Sequence, residues 1–253
     1  MPEHDLAARR EAMVEHQIRG RGIRSPAVLD AMRRVAREAF VPGHLRDSAY
    51  DDTPLPIAAG QTISQPMIVA MMVEALDLQG GERVLDVGTG SGYAAAVLAC
   101  IAGQVYSIER IDELATLAQE TLRAEGFAHV EVRVGDGSLG WPEAAPFDAI
   151  VVAAGAPQVP EALKRQLAIG GRLVLPVGSG QTEQQLLRVT RTGDDEFRTE
   201  NLGDVRFVPL VGAAGWTASS PRPRRRLGRR SVSADDQRLV NRMAQVAEPF
   251  ESV

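Results

Sequence analysis

A strand that ends in alternating glycines lets the backbone approach a ligand closely, and Val84-Leu-Asp-Val-Gly-Thr-Gly-Ser-Gly-Tyr93 has that form. Gly88 and Gly90 allow tight backbone angles, and a helix starting just after them would present unpaired N–H groups. Glu109 closes the next strand-like run, where a carboxylate can accept hydrogen bonds from the hydroxyls of a ribose. A glycine turn alone is a weak signal. Inside a strand–helix–strand unit with an acid downstream, it points to a cofactor that contains a nucleoside.

The spacing then separates the cofactors. A dinucleotide fingerprint wants Gly or Ala three residues after its second glycine, and that position is Tyr93, the third glycine falling at Gly92. Asp86, two residues before Gly88, would repel a pyrophosphate. It suits instead a ligand that carries an ammonium and a sulfonium, as S-adenosylmethionine does. The run Asp-x-Gly-x-Gly-x-Gly resembles the first motif of the Rossmann-like S-adenosylmethionine-dependent methyltransferases. Gly135-Asp136-Gly137 follows the third strand, where that superfamily contacts adenine; by itself it reads as a turn.

These residues need a scaffold, and the chain supplies its rhythm. Short apolar runs at 84–87, 105–109, 130–134, 149–153 and 173–177 are expected as strands buried on both faces. Helical stretches near 92–102, 113–125 and 158–167 alternate with them, which is the pattern of a doubly wound, mostly parallel α/β sheet. Runs at 186–191 and 205–211, joined through Gly193-Asp194-Asp195, are expected to close one edge as an antiparallel pair. Ahead of the sheet lie N-terminal helices. Ser25-Pro26 reads as a cap and first helical residue, with Val28, Leu29, Met32, Val35 and Ala36 on one face. Residues 41–64 form a long structured loop, and Pro66 opens a helix with Ile68, Val69, Met72, Val73 and Leu76 on its apolar side.

Composition removes several functions. Of 253 residues, 28 are basic and 33 acidic, for a net charge of −5. A single cysteine, Cys100, excludes an internal disulfide, and four histidines without i,i+4 spacing make a metal centre a poor expectation. No run is long and apolar enough to span a bilayer, and the N-terminus lacks the layout of a secretory signal, so a cytoplasmic protein is expected. The only lysine, Lys164, falls on what reads as an exposed helix, which disfavours Schiff-base chemistry. After Trp216 the chain turns rich in Ser, Pro and Arg. Eight arginines there face Asp235, Asp236, Glu248 and Glu251; with no aromatic residue interleaved among the arginines of 221–230, the segment reads as a solvated tail rather than a nucleic-acid arm. One compact domain over 1–218 is expected, comprising helices and loop at 1–80 and a Rossmann-like core at 81–218. An extension occupies 219–253.

The loop before the first strand carries the most specific signal. Thr53-Pro-Leu-Pro-Ile-Ala-Ala-Gly-Gln-Thr-Ile-Ser-Gln-Pro-Met67 closely resembles the substrate loop of the protein-L-isoaspartate (D-aspartate) O-methyltransferases. The resemblance continues through Gly88–Tyr93, Ser107-Ile-Glu-Arg110, Gly135–Gly137, Gly170–Val177 and Arg206-Phe-Val-Pro-Leu-Val211, covering roughly residues 10–216 in order. It implies a cytosolic enzyme that methylates isoaspartyl or D-aspartyl residues in damaged proteins and peptides; a monomer without nucleic-acid or membrane partners is expected. It implies Ser64 as the active-site residue, with Pro56 and Ile57 beside the substrate. Implied cofactor contacts are Gln61, Thr62, Ile63, Asp86, Gly88, Gly90, Ser91, Gly92, Glu109, Arg110, Asp136 and Gly137. Some relatives carry His where Val69 stands and Thr where Val211 stands, and those contacts do not carry over.

Residue chemistry agrees. An acceptor carboxylate, with an ordinary pKa of about 4, is already ionised at neutral pH and needs no general base. Positioning is then the main demand, and a rate profile flat between about pH 6 and 8 is expected. Ser64 lies just before Pro66, so it reads either as a helix cap or as a hydroxyl that holds the carboxylate with help from the helix N-terminus. Two competing functions remain: a methyltransferase of the same fold for a normal aspartate in a dedicated peptide, and a non-catalytic S-adenosylmethionine-binding adaptor.

Overall fold

Alternation along the central strands decides which side each residue serves. In a computed structural model, which describes residues 3–179 and 183–217, Val84 packs into one apolar cluster, while Leu85 and Val87 pack into a second. Ala149 and Val151 likewise oppose Ile150 and Val152. A sheet covered on both faces follows from that division.

The chain begins with α1 (Glu3–Ala12), which runs into a π-helical turn at Met13–Ile18, and α2 (Pro26–Arg34). Ser25 caps α2 by accepting from Val28 N, as its sequence predicts. A small hairpin of β1 (Leu55–Pro56) and β2 (Thr62–Ile63) interrupts the long loop, and α3 (Pro66–Leu76) follows. Glu74 on α3 accepts from both Arg24 N and Ser25 N, at 2.7 and 2.8 Å, tying α2 to α3. The alternating core comprises β3 (Arg83–Val87), α4 (Tyr93–Ala99), β4 (Gln104–Glu109), α5 (Asp112–Ala124) and β5 (Glu131–Val134). It continues with β6 (Phe147–Val152), α6 (Glu161–Arg165), β7 (Leu167–Val177), β8 (Gln184–Arg191) and β9 (Phe197–Val205).

The seven-stranded sheet has the order β5-β4-β3-β6-β7-β8-β9. Its first five members are parallel, and β8 and β9 are antiparallel additions. Because the chain steps outward from β3 to β5 and then returns to β6, a crevice opens at the carboxyl ends of β3 and β6.

Three expectations need correction. The outer strand of the antiparallel pair is Phe197–Val205, not 205–211. That strand is polar because it lies at a solvated edge, whereas Val208 and Leu210 are apolar because they line a cavity. β5 is not buried on both faces: it is the opposite edge, and Val134 is 49% exposed. Lys164 is half-buried rather than exposed, paired with Glu161 at 2.6 Å and 4.7 Å from the Phe197 ring centre. The expected extension at 219–253 lies outside the described residues, and among those described no helix is long and apolar enough to cross a membrane.

Candidate active site

The crevice at the strand ends is a cleft enclosing about 800 Å³, its solvent-open part included. Its floor is the turn after β3. Gly88 and Gly90 have φ of +94° and +55°, backbone that a larger residue adopts only with strain. Glu109, at the end of β4, holds that turn open: Oε2 accepts from Gly90 N and Oε1 from Ile111 N, both at 3.0 Å. Each oxygen retains a further lone pair, so the carboxylate can still receive a vicinal diol.

Gln61, Thr62, Ile63 and Ser64 bring the loop before α3 onto the same cleft, which Gly88, Gly90, Ser91, Glu109, Arg110 and Gly137 also line. Five expected residues stand off it. Gly92 serves packing, since a Cβ there would come within 3.1 Å of Leu122 Cγ. Pro56 is exposed on β1. Ile57 backs the turn, its Cδ1 lying 3.6 Å from where a Gly90 Cβ would sit. Asp136 spends its carboxylate on Ser138 and Ala213.

Asp86 is fully buried behind the wall. Its Oδ2 accepts from Ser107 Oγ at 2.7 Å, and Ser107 Oγ meets Thr89 Oγ1 at 2.6 Å. Ser107 has one hydrogen, which goes to the carboxylate, so Thr89 must donate to Ser107 and keeps its lone pairs for the cleft it lines. An ionised Asp86 thus turns Thr89 into an acceptor for a cationic group. Burial pushes the Asp86 carboxyl up to about 6, against the lowering hydrogen bond from Ser107 and with the adjacent Glu109 adding to the rise.

Ser64 is not a helix cap. Gln65 occupies that position, and its side chain makes no capping bond. The start of α3 is closed from elsewhere: Asp52 Oδ1 accepts from Met67 N at 3.3 Å, while Ile68 N and Val69 N both donate to Gln65 O. Pro66 has no N–H, so the N-terminal amides expected to hold a carboxylate are already spent. Asp52 also receives Gln65 Nε2 at 3.4 Å and an ion pair from Arg21. Positioning therefore falls to side chains, among which the Ser64 hydroxyl makes no hydrogen bond within the described residues.

Sequence reasoning missed much of the apolar wall: Tyr93, Ile108, Leu114, Ala153, Ala154 and Val208 to Leu210 line the cleft, as do Val69 and Val211. Ala153 and Ala154 were findable, since they follow the fourth strand at the topological switch. Tyr93 is no base. Its hydroxyl faces Met32 Sδ at 3.7 Å, and burial pushes its pKa up to about 12, although Arg37, 4.9 Å from the ring centre, pulls the other way. Among the described residues no cluster of His, Cys, Asp and Glu could hold a metal. Because Asp52 is the acceptor for Met67 N among the described residues, Asp52→Ala should destabilise the fold by about 1–2 kcal/mol, the usual loss for a helix cap. Urea denaturation checks this; an unchanged midpoint would remove Asp52 from that role.

Comparison with known proteins follows the same outline. The sequence model of the protein-L-isoaspartate (D-aspartate) O-methyltransferase family matches residues 8–215. Protein-L-isoaspartate O-methyltransferase 1 of Rhodopseudomonas palustris strain HaA2 is 64% identical over 219 residues, 87% of this chain and 89% of that one. A counterpart in Pelobacter propionicus is 62% identical over 208 residues, covering 82% and 92%. Among solved structures, a protein-L-isoaspartate O-methyltransferase from Plasmodium falciparum, in complex with S-adenosyl-L-homocysteine, superimposes with a TM-score of 0.70 at 27% identity, over 79% of this chain and 97% of that one. Another protein-L-isoaspartate O-methyltransferase gives a TM-score of 0.73 at 28% identity, over 81% and 67%. The chain belongs to the protein-L-isoaspartate (D-aspartate) O-methyltransferase family and has the Rossmann-like fold of S-adenosylmethionine-dependent methyltransferases.

Proposed function

We propose that this chain uses S-adenosylmethionine to methylate the free carboxylate of L-isoaspartyl and D-aspartyl residues in damaged proteins and peptides. The observation that carries this reading is a single cleft shared by Ser64, the glycine turn and Glu109. The methyltransferase unit is proposed to span 1–218, with 219–253 as an extension, and to act as a cytoplasmic monomer without nucleic-acid or membrane partners.

The cleft suits that cofactor on three counts. Glu109 retains two acceptor sites for ribose hydroxyls. Gly137, kept without a side chain by Val87 Cγ1, which would lie 2.5 Å from its Cβ, lines the cleft and presents only backbone to it. Thr89, polarised by Asp86, offers an acceptor to an ammonium. When bound, S-adenosylmethionine supplies a methyl group on a sulfonium, which a carboxylate oxygen takes to form the ester and leave the thioether.

The chain's own task is to orient the acceptor and exclude water. Among the described residues no His, Cys or Lys lines the cleft, and an ionised carboxylate asks for none. Ser64 donates its hydroxyl to the carboxylate oxygen that does not react. Exposed Arg110, which makes no ion pair among the described residues, supplies positive charge at the mouth.

The direct test measures methyl transfer from labelled cofactor to matched isoaspartyl and aspartyl peptides. Turnover confined to the isoaspartyl peptide is expected; turnover favouring the aspartyl peptide, or none on either, would overturn the assignment. Ser64→Ala should lower kcat/KM on the order of 10–1000-fold, as for loss of one oxyanion donor, with cofactor affinity little changed. A wild-type kcat/KM would show that the hydroxyl holds nothing.

Asp86 modifies the flat pH profile. Its charge is present above about pH 6 and lost as pH falls through that value, and the acceptor character of Thr89 goes with it. Cofactor affinity should hold between about pH 7 and 8 and fall below about 6. Titration calorimetry across that range, repeated on Thr89→Val, checks the relay: the dependence should vanish in the variant. A dependence that persists there would assign it to another group.

A further inference from the structure

The hairpin that brings Gln61 to Ser64 to the cleft stands on two feet, and one carboxylate holds both. Asp52 precedes the hairpin and Gln65 follows it. Leu55 pairs with Ile63 and Pro56 with Thr62, and Ile57 N donates to Gln61 O at 2.9 Å. At the base, Gln65 Nε2 reaches both Asp52 oxygens at 3.4 Å, and Met67 N donates to Oδ1 at 3.3 Å. Ser64 is the residue between paired Ile63 and clamped Gln65. The outer foot is tied in turn to the N-terminal helices. Fully buried Arg37 donates Nε to Ala49 O at 2.7 Å, with its guanidinium 4.9 Å from the Tyr93 ring centre. Gln17 donates Nε2 to Tyr50 O at 3.1 Å from the π-helical turn, a rare geometry frequent at functional sites. The Tyr50 hydroxyl donates to Glu38, Arg9 lies 3.5 Å from Asp51 Oδ1, and Arg21 pairs with Asp52 Oδ2. Side chains from across residues 9–38 thus converge on four consecutive residues, 49–52.

We infer that Asp52 is a positioning residue for the acceptor, through which the N-terminal helices set where the Ser64 hydroxyl stands in the cleft. Asp52 does not line the cleft, so it acts through Gln65 and Met67. A carboxylate suits the base of the hairpin: Met67 N, Gln65 Nε2 and Arg21 are all donors, and it has no hydrogen to set against them. The Arg21–Asp52 pair is open to solvent, its side chains 53% and 21% exposed, and such pairs add little stability. Its effect is directional: Arg21 holds Oδ2 and leaves Oδ1 to Met67 N. The bonds to Ala49 and Tyr50 fix the backbone from which Asp52 reaches. Displacing a positioned group by about 1 Å can cost about 10²-fold in rate, so a hairpin clamped at its base serves the reaction more than the fold. The inference rests on the proposed function in taking Ser64 as the hold on the acceptor.

Hydrogen exchange on the full chain without ligand reads the clamp apart from methyl transfer. Asp52→Asn keeps an oxygen for Met67 N but sets an NH2 group against Arg21 and Gln65 Nε2, both donors. Exchange of the amides at 61–69 should speed by roughly tenfold or more, the loss of one hydrogen bond to a charged group, while α4 and α5 stay as in wild type. Turnover of an isoaspartyl peptide reads the positioning. Asp52→Asn should lower kcat/KM about tenfold or more in the wild-type background. On top of Ser64→Ala it should change kcat/KM less than about threefold, because both act through one hydroxyl. Arg21→Ala should show the same pattern at smaller size, and Arg21→Lys should recover most of the loss. Arg33→Ala removes ion pairs with Glu11, Glu15 and Asp30, outside the 49–52 segment, and should leave both readouts unchanged. Unchanged exchange at 61–69 in Asp52→Asn would overturn the inference, as would losses from Asp52→Asn and Ser64→Ala that multiply. If Asp52→Asn fails to fold, Arg21→Ala decides by the same two readouts. Faster exchange in the variant, beside a wild type that methylates neither isoaspartyl nor aspartyl peptide, counts for the clamp and against the proposed function.

Discussion

The carboxylate of Glu109 stands between two backbone amides, Gly90 N on the glycine turn and Ile111 N at the start of α5. Parallel pairing brings β3 and β4 side by side, but it does not fix the turn that leaves β3. Glu109 does so with a charge-assisted bond to the turn itself. With that turn held, Gly88 and Gly90 keep their left-handed angles, α4 starts where it does, and a cleft remains at the strand ends. The same carboxylate retains the lone pairs that a ribose needs. Support and, in the proposed function, recognition thus reside in one side chain, which is 7% exposed.

The other walls come from segments remote in sequence, each closed by its own polar device. Asp52 closes the start of α3 and leaves Ser64 as a free hydroxyl beside it. Asp86 works from behind, through Ser107 and Thr89. Asp136 accepts from Ala213 N in the turn that follows Val208 to Val211. Three carboxylates therefore shape the site without lining it. Apart from Glu109, whose two oxygens are each held by a backbone amide, these carboxylates stay behind the wall, where they direct donors and acceptors without facing an anionic acceptor.

Much of this was legible in the sequence where one residue type admits one physical role. The Ser25-Pro26 cap, the glycine turn after β3 and the carboxylate at the end of β4 stand where expected. The failures share a cause. Phe197–Val205 carries polar residues on a solvated edge, while 205–211 looks like a strand because the cleft makes it apolar. Apolarity reports burial and does not say against what. Asp52 was overlooked, and Asp86 and Asp136 were read only as ligand contacts, because a carboxylate that closes a helix start or receives loop amides has the same one-dimensional signature as one that binds a ligand. Only the partner amides, from Met67 to Ala213, tell them apart.

The central claim is that Glu109 both supports the turn and receives the nucleoside. Calorimetric binding of S-adenosylhomocysteine and of adenosine to wild type and Glu109→Gln tests it most directly. Substituting an amide sets an NH2 group against one backbone N–H and removes one acceptor. Affinity for both ligands should therefore fall by the same factor, on the order of 10–100-fold, because both carry the ribose diol. Unchanged affinity for the two, or saturable binding of NAD where S-adenosylhomocysteine fails to bind, would contradict the account.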